Sequence, residues 1–427
     1  MGPDFSPIQV YAMIKFFDTP SRLRLRHRGA GFTLVEMMVS IVILVILMTI
    51  IFQIMQLTSS AYKQTTQGTG TMQQARVAFE RMTRTLSQAT LNTYYSYFYS
   101  GTQISSYLRQ SELQFVSGYG PVAGASGSTF ITTSGQNAKQ VTHAVFFQAP
   151  LGVVASSNAA AYGNLGNLLN ACGYFVMYGP DTSRPNFLSS SGFVNAPPSE
   201  NRFRLMEYVQ PSEYLNIYTT GSILSTATSV PTWITNGLPT DLTAASPANV
   251  RPLASNIVAL IIMPEQFSNT TSTNGQANTI PTNSPNIAGF IAVPPTPTTV
   301  AAYDTYNYDS AYKAQTRVTS TPSGTTIQFP TGNQLPPLVK VIMVAIDEAS
   351  GARLAAKYPT ASSTAPPDLG NLITSSSALF QKPTHLHSAG GTTGDLELLQ
   401  ATLNSLKANY YVFQTDVVIR GAKWTVN

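Results

Sequence analysis

The chain is poor in charge. Asp, Glu, Lys and Arg make up 10% of its 427 residues, against roughly 25% in ordinary soluble domains. A surface of that kind is not held by ion-pair networks. Nor does the body carry a Lys/Arg cluster of the sort that tracks a phosphate backbone, so no nucleic-acid partner is expected for it. Cysteine is nearly absent too. Cys172 stands alone, which excludes an intrachain disulfide. Its place in Ala-Cys-Gly-Tyr-Phe-Val, at the head of an apolar run, reads as a small packed hydrophobe rather than a reactive thiol. The histidines are His27, His143, His385 and His387. His385-Leu-His387 supplies two ligands where zinc takes three or four. No Gly-x-Ser-x-Gly, His-Glu-x-x-His, phosphate loop or dinucleotide fingerprint occurs. The expectation is a protein that is not an enzyme and needs no cofactor.

Hydrophobic residues make up 43% of the chain, enough for a sizeable core, and Ser, Thr, Asn, Gln, Gly and Pro take the place of the missing charge. The formal net charge of +5 is unevenly placed. Residues 1–31 hold Lys15, Arg22, Arg24, Arg26 and Arg28 against Asp4 and Asp18, a balance of +3 that leaves +2 for the remainder. From Met37 to Leu57 the chain is apolar except for Ser40, Thr49, Gln53 and Gln56. As a helix this stretch is about 31 Å long at 1.5 Å per residue, the thickness of a bilayer's hydrocarbon core. The arginines before it are expected to stay cytoplasmic, which puts the body on the far side. An ordinary secretory signal would have an apolar region of about 7–15 residues, shorter than this one. A plain signal anchor fits the length but leaves Glu36 unexplained, since a carboxylate at the edge of such a segment costs free energy.

Gly31-Phe32-Thr33-Leu34-Val35-Glu36, followed by the apolar run to about Leu57, resembles the cleavage and methylation motif of type IV pilins and type II secretion pseudopilins. The resemblance implies that a prepilin peptidase cuts after Gly31 and that the new amino terminus, Phe32, is N-methylated. It also implies that Glu36 attracts the amino terminus of a neighbouring subunit and sets register during assembly. The charge arithmetic agrees. Cutting leaves an ammonium on Phe32, and Glu36 lies four residues on, along the same helix face. Paired charges are less costly in a low-dielectric medium than isolated ones. Many pilins carry proline where this chain has Gln53, a departure that favours a minor pilin or pseudopilin. The implied location is the inner membrane, single-pass, with a cytoplasmic amino terminus and a periplasmic or extracellular head.

Met72, Ala75, Phe79, Met82 and Leu86 recur at helical spacing and predict that a stalk helix continues past the membrane and packs on the head. Between the halves, Thr65 to Thr71 includes Gly68 and Gly70, which predicts a kink or loosened turn. The expected organisation is a leader at 1–31, a transmembrane and assembly helix at 32–57, an amphipathic stalk at 58–91 and a β-rich head at 92–427. The fold class is α+β, with large loop insertions in the head. Strands are predicted at Glu112–Ser117, Ala144–Val154, Tyr174–Tyr178, Phe203–Val209, Ile257–Met263, Thr326–Phe329, Leu338–Ile346 and Tyr410–Val418. Residues 219–254, 267–302 and 359–379 read as surface loops, Asp347-Glu348 as a strand-end turn, and Asp395–Asn409 as a helix.

The segments Leu335 to Ser350 and Asn409 to Trp424 are similar to the prepilin-type cassette proteins C of the Verrucomicrobia group, which implies other pilin-like proteins as partners. Asp304, Asn307 and Asp309 form a weak calcium candidate. They lack the glycine and terminal glutamate of a calcium loop, and a tyrosine-rich turn is the plainer reading. The functional expectation is a minor pilin-like structural subunit in a membrane-anchored filament for secretion, adhesion or DNA uptake. The alternative is a pilin-anchored adhesin.

Overall fold

A computed structural model describes residues 33–100, 102–118, 139–180, 200–219, 231–238, 249–267, 290–292, 308–310, 333–358, 369, 379–388 and 391–422. The chain divides into two compact units, one ending at Ala61 and the other starting at Tyr62. Helix α1 (Leu34–Leu86) contributes residues to both. The described residues of the first unit are Thr33 and the first part of this helix, and every one of them is exposed. Its hydroxyls are satisfied within the helix. Ser40 donates to the Glu36 carbonyl, Thr49 to that of Val45 and Thr58 to that of Ile54, each at 2.8 Å. A helix that bonds its own hydroxyls and turns mainly apolar side chains outward is suited to hydrocarbon rather than water.

The second unit is built on antiparallel sheets, as the α+β reading predicts. Strands β1 (Tyr94–Ser100) and β2 (Gln103–Gln110) form a hairpin sheet of their own. A six-stranded sheet has the order β10-β3-β4-β5-β6-β7, made of β3 (Val116–Gly118), β4 (Lys139–Pro150), β5 (Leu169–Pro180), β6 (Asn201–Gln210), β7 (Val250–Ser255) and β10 (Tyr308–Asp309). A four-stranded sheet has the order β12-β11-β8-β9, made of β8 (Ile257–Phe267), β9 (Phe290–Ala292), β11 (Leu338–Ile346) and β12 (Tyr410–Val418). Short α-helices α2 (Ala159–Tyr162), α3 (Thr232–Gly237), α4 (Glu348–Lys357) and α5 (Asp395–Ser405), with a few single 3-10 turns, complete the described elements.

Strand alternation divides the core in two. On β4 and β5, Val145, Phe147, Tyr174 and Val176 face the larger cluster, which includes Ala75, Phe79, Met82 and Leu86 of α1 and the whole apolar run of β8. Phe146, Phe175 and Met177 point the other way, against Trp233 and Ile234 of α3. Phe146 meets the Trp233 ring edge to face at 6.5 Å between centroids. Both faces of these strands are therefore covered. This is why they read as near-continuous apolar runs rather than alternating ones. On α1, Ala75, Ala78, Phe79, Met82 and Leu86 are buried as the stripe predicted, whereas Met72 is exposed.

Two devices join the sheets. At Asn256, between β7 and β8, the chain turns from one sheet into the other with φ +63, a conformation that asparagine tolerates better than most residues. Its N–H donates to the Phe203 carbonyl at 2.7 Å, and its own carbonyl accepts from Ile346 N–H at 2.9 Å, so it bonds to both sheets. Its side chain donates to Glu348 Oε2 at 2.6 Å. Gly351 in α4 leaves no room for a side chain without a shift, since a Cβ there would run into Asn256 Oδ1.

The second device is a bulge in β4, where Thr142 and His143 have no partner in the β5 register. Thr142 Oγ1 accepts from Leu260 N–H at 2.9 Å and His143 Nδ1 from Ile262 N–H at 3.0 Å. Two bulged side chains thus cap backbone donors of β8 beyond the stretch that β9 covers. Because Nδ1 accepts, the proton sits on Nε2, which donates to the Phe380 carbonyl at 2.8 Å. Burial holds this imidazole down to about 4, against backbone bonds to Phe380 and Ile262 that favour the charged form.

Several sequence expectations are corrected. Residues 65–71 are helical, so the loosened turn is absent, and α1 ends at Leu86 rather than near residue 91. Asp347-Glu348 is not a turn but the start of α4. Asp347 caps it, accepting from Ser350 N–H at 2.8 Å. Burial pushes the Asp347 carboxyl up, but bonds from Ser350 and Asn409 outweigh it and hold the group below its ordinary range. The loop read at 219–254 contains α3 and the start of β7, and that at 267–302 contains β9. Thr326–Phe329 lies outside the described residues.

The described residues that flank 181–199 and 311–332 lie side by side. Pro180 and Asn201 are register partners at the ends of β5 and β6. Asn333 N–H donates to the Ser310 carbonyl at 2.7 Å.

Candidate processing and assembly site

Of the three motif residues, Gly31 and Phe32 lie outside the described residues, and Glu36 is in the first turn of α1. Thr33 is the residue before the helix. Its Oγ1 accepts from Glu36 N–H at 3.3 Å, and its carbonyl lies 3.0 Å from the same donor. Thr33-Leu-Val-Glu36 thus has the spacing of a capping box, with the threonine half of the exchange formed. The T-x-x-E signature was legible in the sequence, yet the sequence reading gave Thr33 no role. Glu36 itself is exposed. A carboxylate at the third helical position faces the positive end of the helix dipole, where negative charge is stabilised by typically 0.3–1 kcal/mol. An ammonium at the same end is disfavoured by that dipole. A free amino terminus placed beside Thr33 would therefore need a carboxylate such as Glu36, in its own chain or in another.

The second half of α1 meets the larger sheet through a buried carboxylate that sequence reasoning missed. Glu207 of β6 is 2% exposed. It accepts from Arg81 Nε of α1 at 2.9 Å, from Arg251 Nε of β7 at 2.6 Å and from the Tyr174 hydroxyl at 3.0 Å. Burial, and then the Glu207 charge, hold the Tyr174 phenol well above its ordinary range. Nothing in the sequence signals this cluster, because its members lie 33, 44 and 126 residues from Glu207.

The remaining candidates are described only in part. Asp304 and Asn307 lie outside the described residues. Asp309 is in β10 paired with Val116, and its neighbour Tyr308 is buried with its hydroxyl donating to the Gln334 carbonyl at 2.6 Å. Residues 308–309 are thus strand rather than a solvated turn. His387 Nδ1 lies 3.2 Å from Glu397 Oε1. Among the described residues no three His, Cys, Asp or Glu side chains come together as a metal group. Cys172 is buried, and desolvation, then the Glu207 charge, push its thiol well above the usual range.

A second buried carboxylate, Glu265 of β8, has no hydrogen-bond partner for either oxygen among the described residues. Lys340 Nζ is 3.6 Å away and is itself 3.8 Å from Asp416 Oδ1. Burial, opposed by Lys340 and supported by Asp416, raises the Glu265 carboxyl to about 6.

No curated protein and no solved structure matches the chain. Residues 34–62 form a helix long and apolar enough to cross a membrane, which fits a membrane anchor. Residues 26–52, spanning the basic approach, Gly31, Phe32, Glu36 and the start of that helix, match the family model described as the prokaryotic N-terminal methylation motif, a signal consistent with a type IV pilin-like protein.

Proposed function

We propose that the chain is a minor pilin-like or pseudopilin subunit. A prepilin peptidase cuts it after Gly31, Phe32 becomes the N-methylated amino terminus, and the head stands outside the inner membrane on a single span. Glu36 then recruits the subunit into a filament with other pilin-like proteins, serving secretion, adhesion or DNA uptake. The observation that carries this reading is the methylation-motif match at residues 26–52 running directly into an apolar helix whose first turn holds Glu36. The bulky head suits an initiating or capping position better than dense packing along a fibre. Mass spectrometry of the mature amino terminus, in cells with and without the peptidase, tests it. Peptidase-dependent N-methyl-Phe32 is the expected result. An intact leader, or a cut beyond the apolar helix as in an ordinary secretory signal, overturns it.

A second reading, a pilin-anchored surface-binding module, is favoured by exposed tyrosines on the β1–β2 hairpin. Loss of filaments on deletion of the gene supports the first reading. Assembly retained with attachment lost favours the second.

A further inference from the structure

Three charged side chains meet on one face of the four-stranded sheet. Lys340 is on β11, the strand between β8 and β12. Asp416 of β12 is its register partner on one side. Glu265 of β8 lies diagonally across on the other, opposite Leu338. Residues two apart on a strand share a face, so all three side chains stand on the same one. Their neighbours there, Leu338, Ile342 and Met263, are apolar and buried. The Lys340 and Glu265 side chains are 9% and 0% exposed, and that of Asp416 is 35% exposed. As an ion-pair cluster the arrangement is poor. Two carboxylates share one ammonium, and Lys340 Nζ lies 3.6 Å from Glu265 Oε1 and 3.8 Å from Asp416 Oδ1, beyond hydrogen-bond reach of either. Neither oxygen of Glu265 has a hydrogen-bond partner among the described residues. The same fold closes its other buried carboxylate tightly, since Glu207 takes Arg251 at 2.6 Å and Arg81 at 2.9 Å. Charges withdrawn from water are costly unless closely paired and fully hydrogen-bonded.

What serves badly as an ion pair has the parts needed to join an amine to a carboxyl. That reaction needs the two groups side by side and shielded from water, with a proton carrier next to them. Lys340 supplies the nucleophile and Asp416 the electrophile. Glu265, within 3.6 Å of the reacting nitrogen, supplies the carrier. Burial raises its carboxyl to about 6, which lets it take up and release a proton near neutral pH. Orientation of this kind is equivalent to an effective concentration of about 10⁵ M or more, enough to offset the water that drives the reaction backwards in free solution.

We infer that Lys340 and Asp416 become joined by an amide bond between Nζ and Cγ, with Glu265 as the catalytic acid–base. Glu265 takes one proton from the Lys340 ammonium. The freed amine attacks Cγ of Asp416 and the C–N bond forms. A carboxylate oxygen then departs with the proton that Glu265 returns and a second proton from the nitrogen, so the C–O bond breaks and water leaves. Ammonium and carboxylate become amide and water, and no oxidant, reductant or cofactor is consumed. Two of the three charges disappear. The bond staples β12, at the edge of its sheet, to β11, in a chain whose single cysteine permits no disulfide. It depends neither on processing at Gly31 nor on filament assembly.

The test is peptide mapping of the full chain, purified in detergent and denatured before digestion with trypsin. Trypsin does not cut after a lysine whose Nζ is acylated. The expected product is therefore a branched peptide that joins residues 318–353 to 408–420 and is lighter than their sum by one water. Lys340→Arg and Asp416→Ala each abolish it. Glu265→Gln removes the proton carrier and lowers its yield by about tenfold or more. Glu397→Gln, a carboxylate of α5 paired with His387, leaves the yield unchanged. Recovery of 318–340, 341–353 and 408–420 from the parent chain only as linear peptides overturns the inference, whatever the variants do. So does a water loss confined to 408–420, which is a succinimide at Asp416. A branched peptide at full yield in Glu265→Gln overturns the role given to Glu265.

Discussion

Single residues in this chain carry opposite pH dependences. His143 is neutral in the fold, with its acidity set near 4 by burial. In the unfolded chain it takes a proton near 6.5. Its contribution is therefore complete above pH 6.5 and falls away as pH drops toward 4, by roughly 3 kcal/mol in total. Glu265 runs the other way. Its folded value of about 6 exceeds the ordinary one, so the stability linked to its proton is present below about pH 4.5 and lost as pH rises through 6. In an Asp416→Ala background, where no bond to Lys340 can form, Glu265→Gln is expected to stabilise the protein by up to about 2 kcal/mol at pH 7.5 and by nothing at pH 4. Denaturant titrations at the two pH values check this, and an equal effect at both would refute the assignment. His143→Leu leaves Ile262 N–H and the Phe380 carbonyl without their bonds and is expected to cost roughly 2–4 kcal/mol at pH 7.5, read as a shift of the same midpoint. At the membrane end, Glu36→Val should leave cleavage intact and block incorporation. Immunoblots of membrane and filament fractions check both halves, and normal incorporation would remove the role given to Glu36.

Among the elements, the second half of α1 depends on its carboxylate clamp as well as on its apolar stripe. Burying Phe79, Met82 and Leu86 is worth roughly 1.5–3 kcal/mol each. Glu207 fixes where the stripe lands by holding Arg81 from the helix and Arg251 from β7. Glu207→Ala is expected to cost roughly 2–4 kcal/mol, toward the lower end for a broken buried pair because the arginines can rehydrate. Amide exchange over residues 75–86 should rise more than that of β11. Uniform change across both would place the effect elsewhere. Legibility in the sequence varied along the same lines. β11 and β12 were readable to the residue, since Leu338–Ile346 is one apolar run and Tyr410–Val418 is rich in β-branched and aromatic residues. β5 was seen only as Tyr174–Tyr178, because Asn170, Cys172 and Gly173 interrupt its pattern. Asn170 is tolerable there only because its side chain bonds the Val153 and Gln210 carbonyls. β7 was missed because Pro252 argues against a strand, yet β7 is an edge strand with a register shift beside that proline, where proline is allowed. In α4, Ser350 and Gly351 masked a helix whose cap, Asp347, was in plain view. The processing motif was legible because it is local. The Glu207 and His143 contacts were not, because only folding brings their members together.

The second unit is built on antiparallel sheets, and the way the chain meets itself at Ser310 and Asn333 has a practical use. The Asn333 N–H bonded to the Ser310 carbonyl means that residues 311–332 begin and end at one place. The entropy of closing such a loop grows only with the logarithm of its length, about 0.6 kcal/mol per doubling. The body around Tyr308 and β11 therefore gains or loses little when this stretch is lengthened. A peptide tag inserted midway between Ser310 and Asn333 should leave the denaturation midpoint within about 1 kcal/mol of the parent. A larger drop would show that the stretch supports the core. Tolerance would turn the junction into a labelling port, where a fluorophore or affinity handle could report each subunit's position without touching the anchor, the clamp or the tyrosine hairpin.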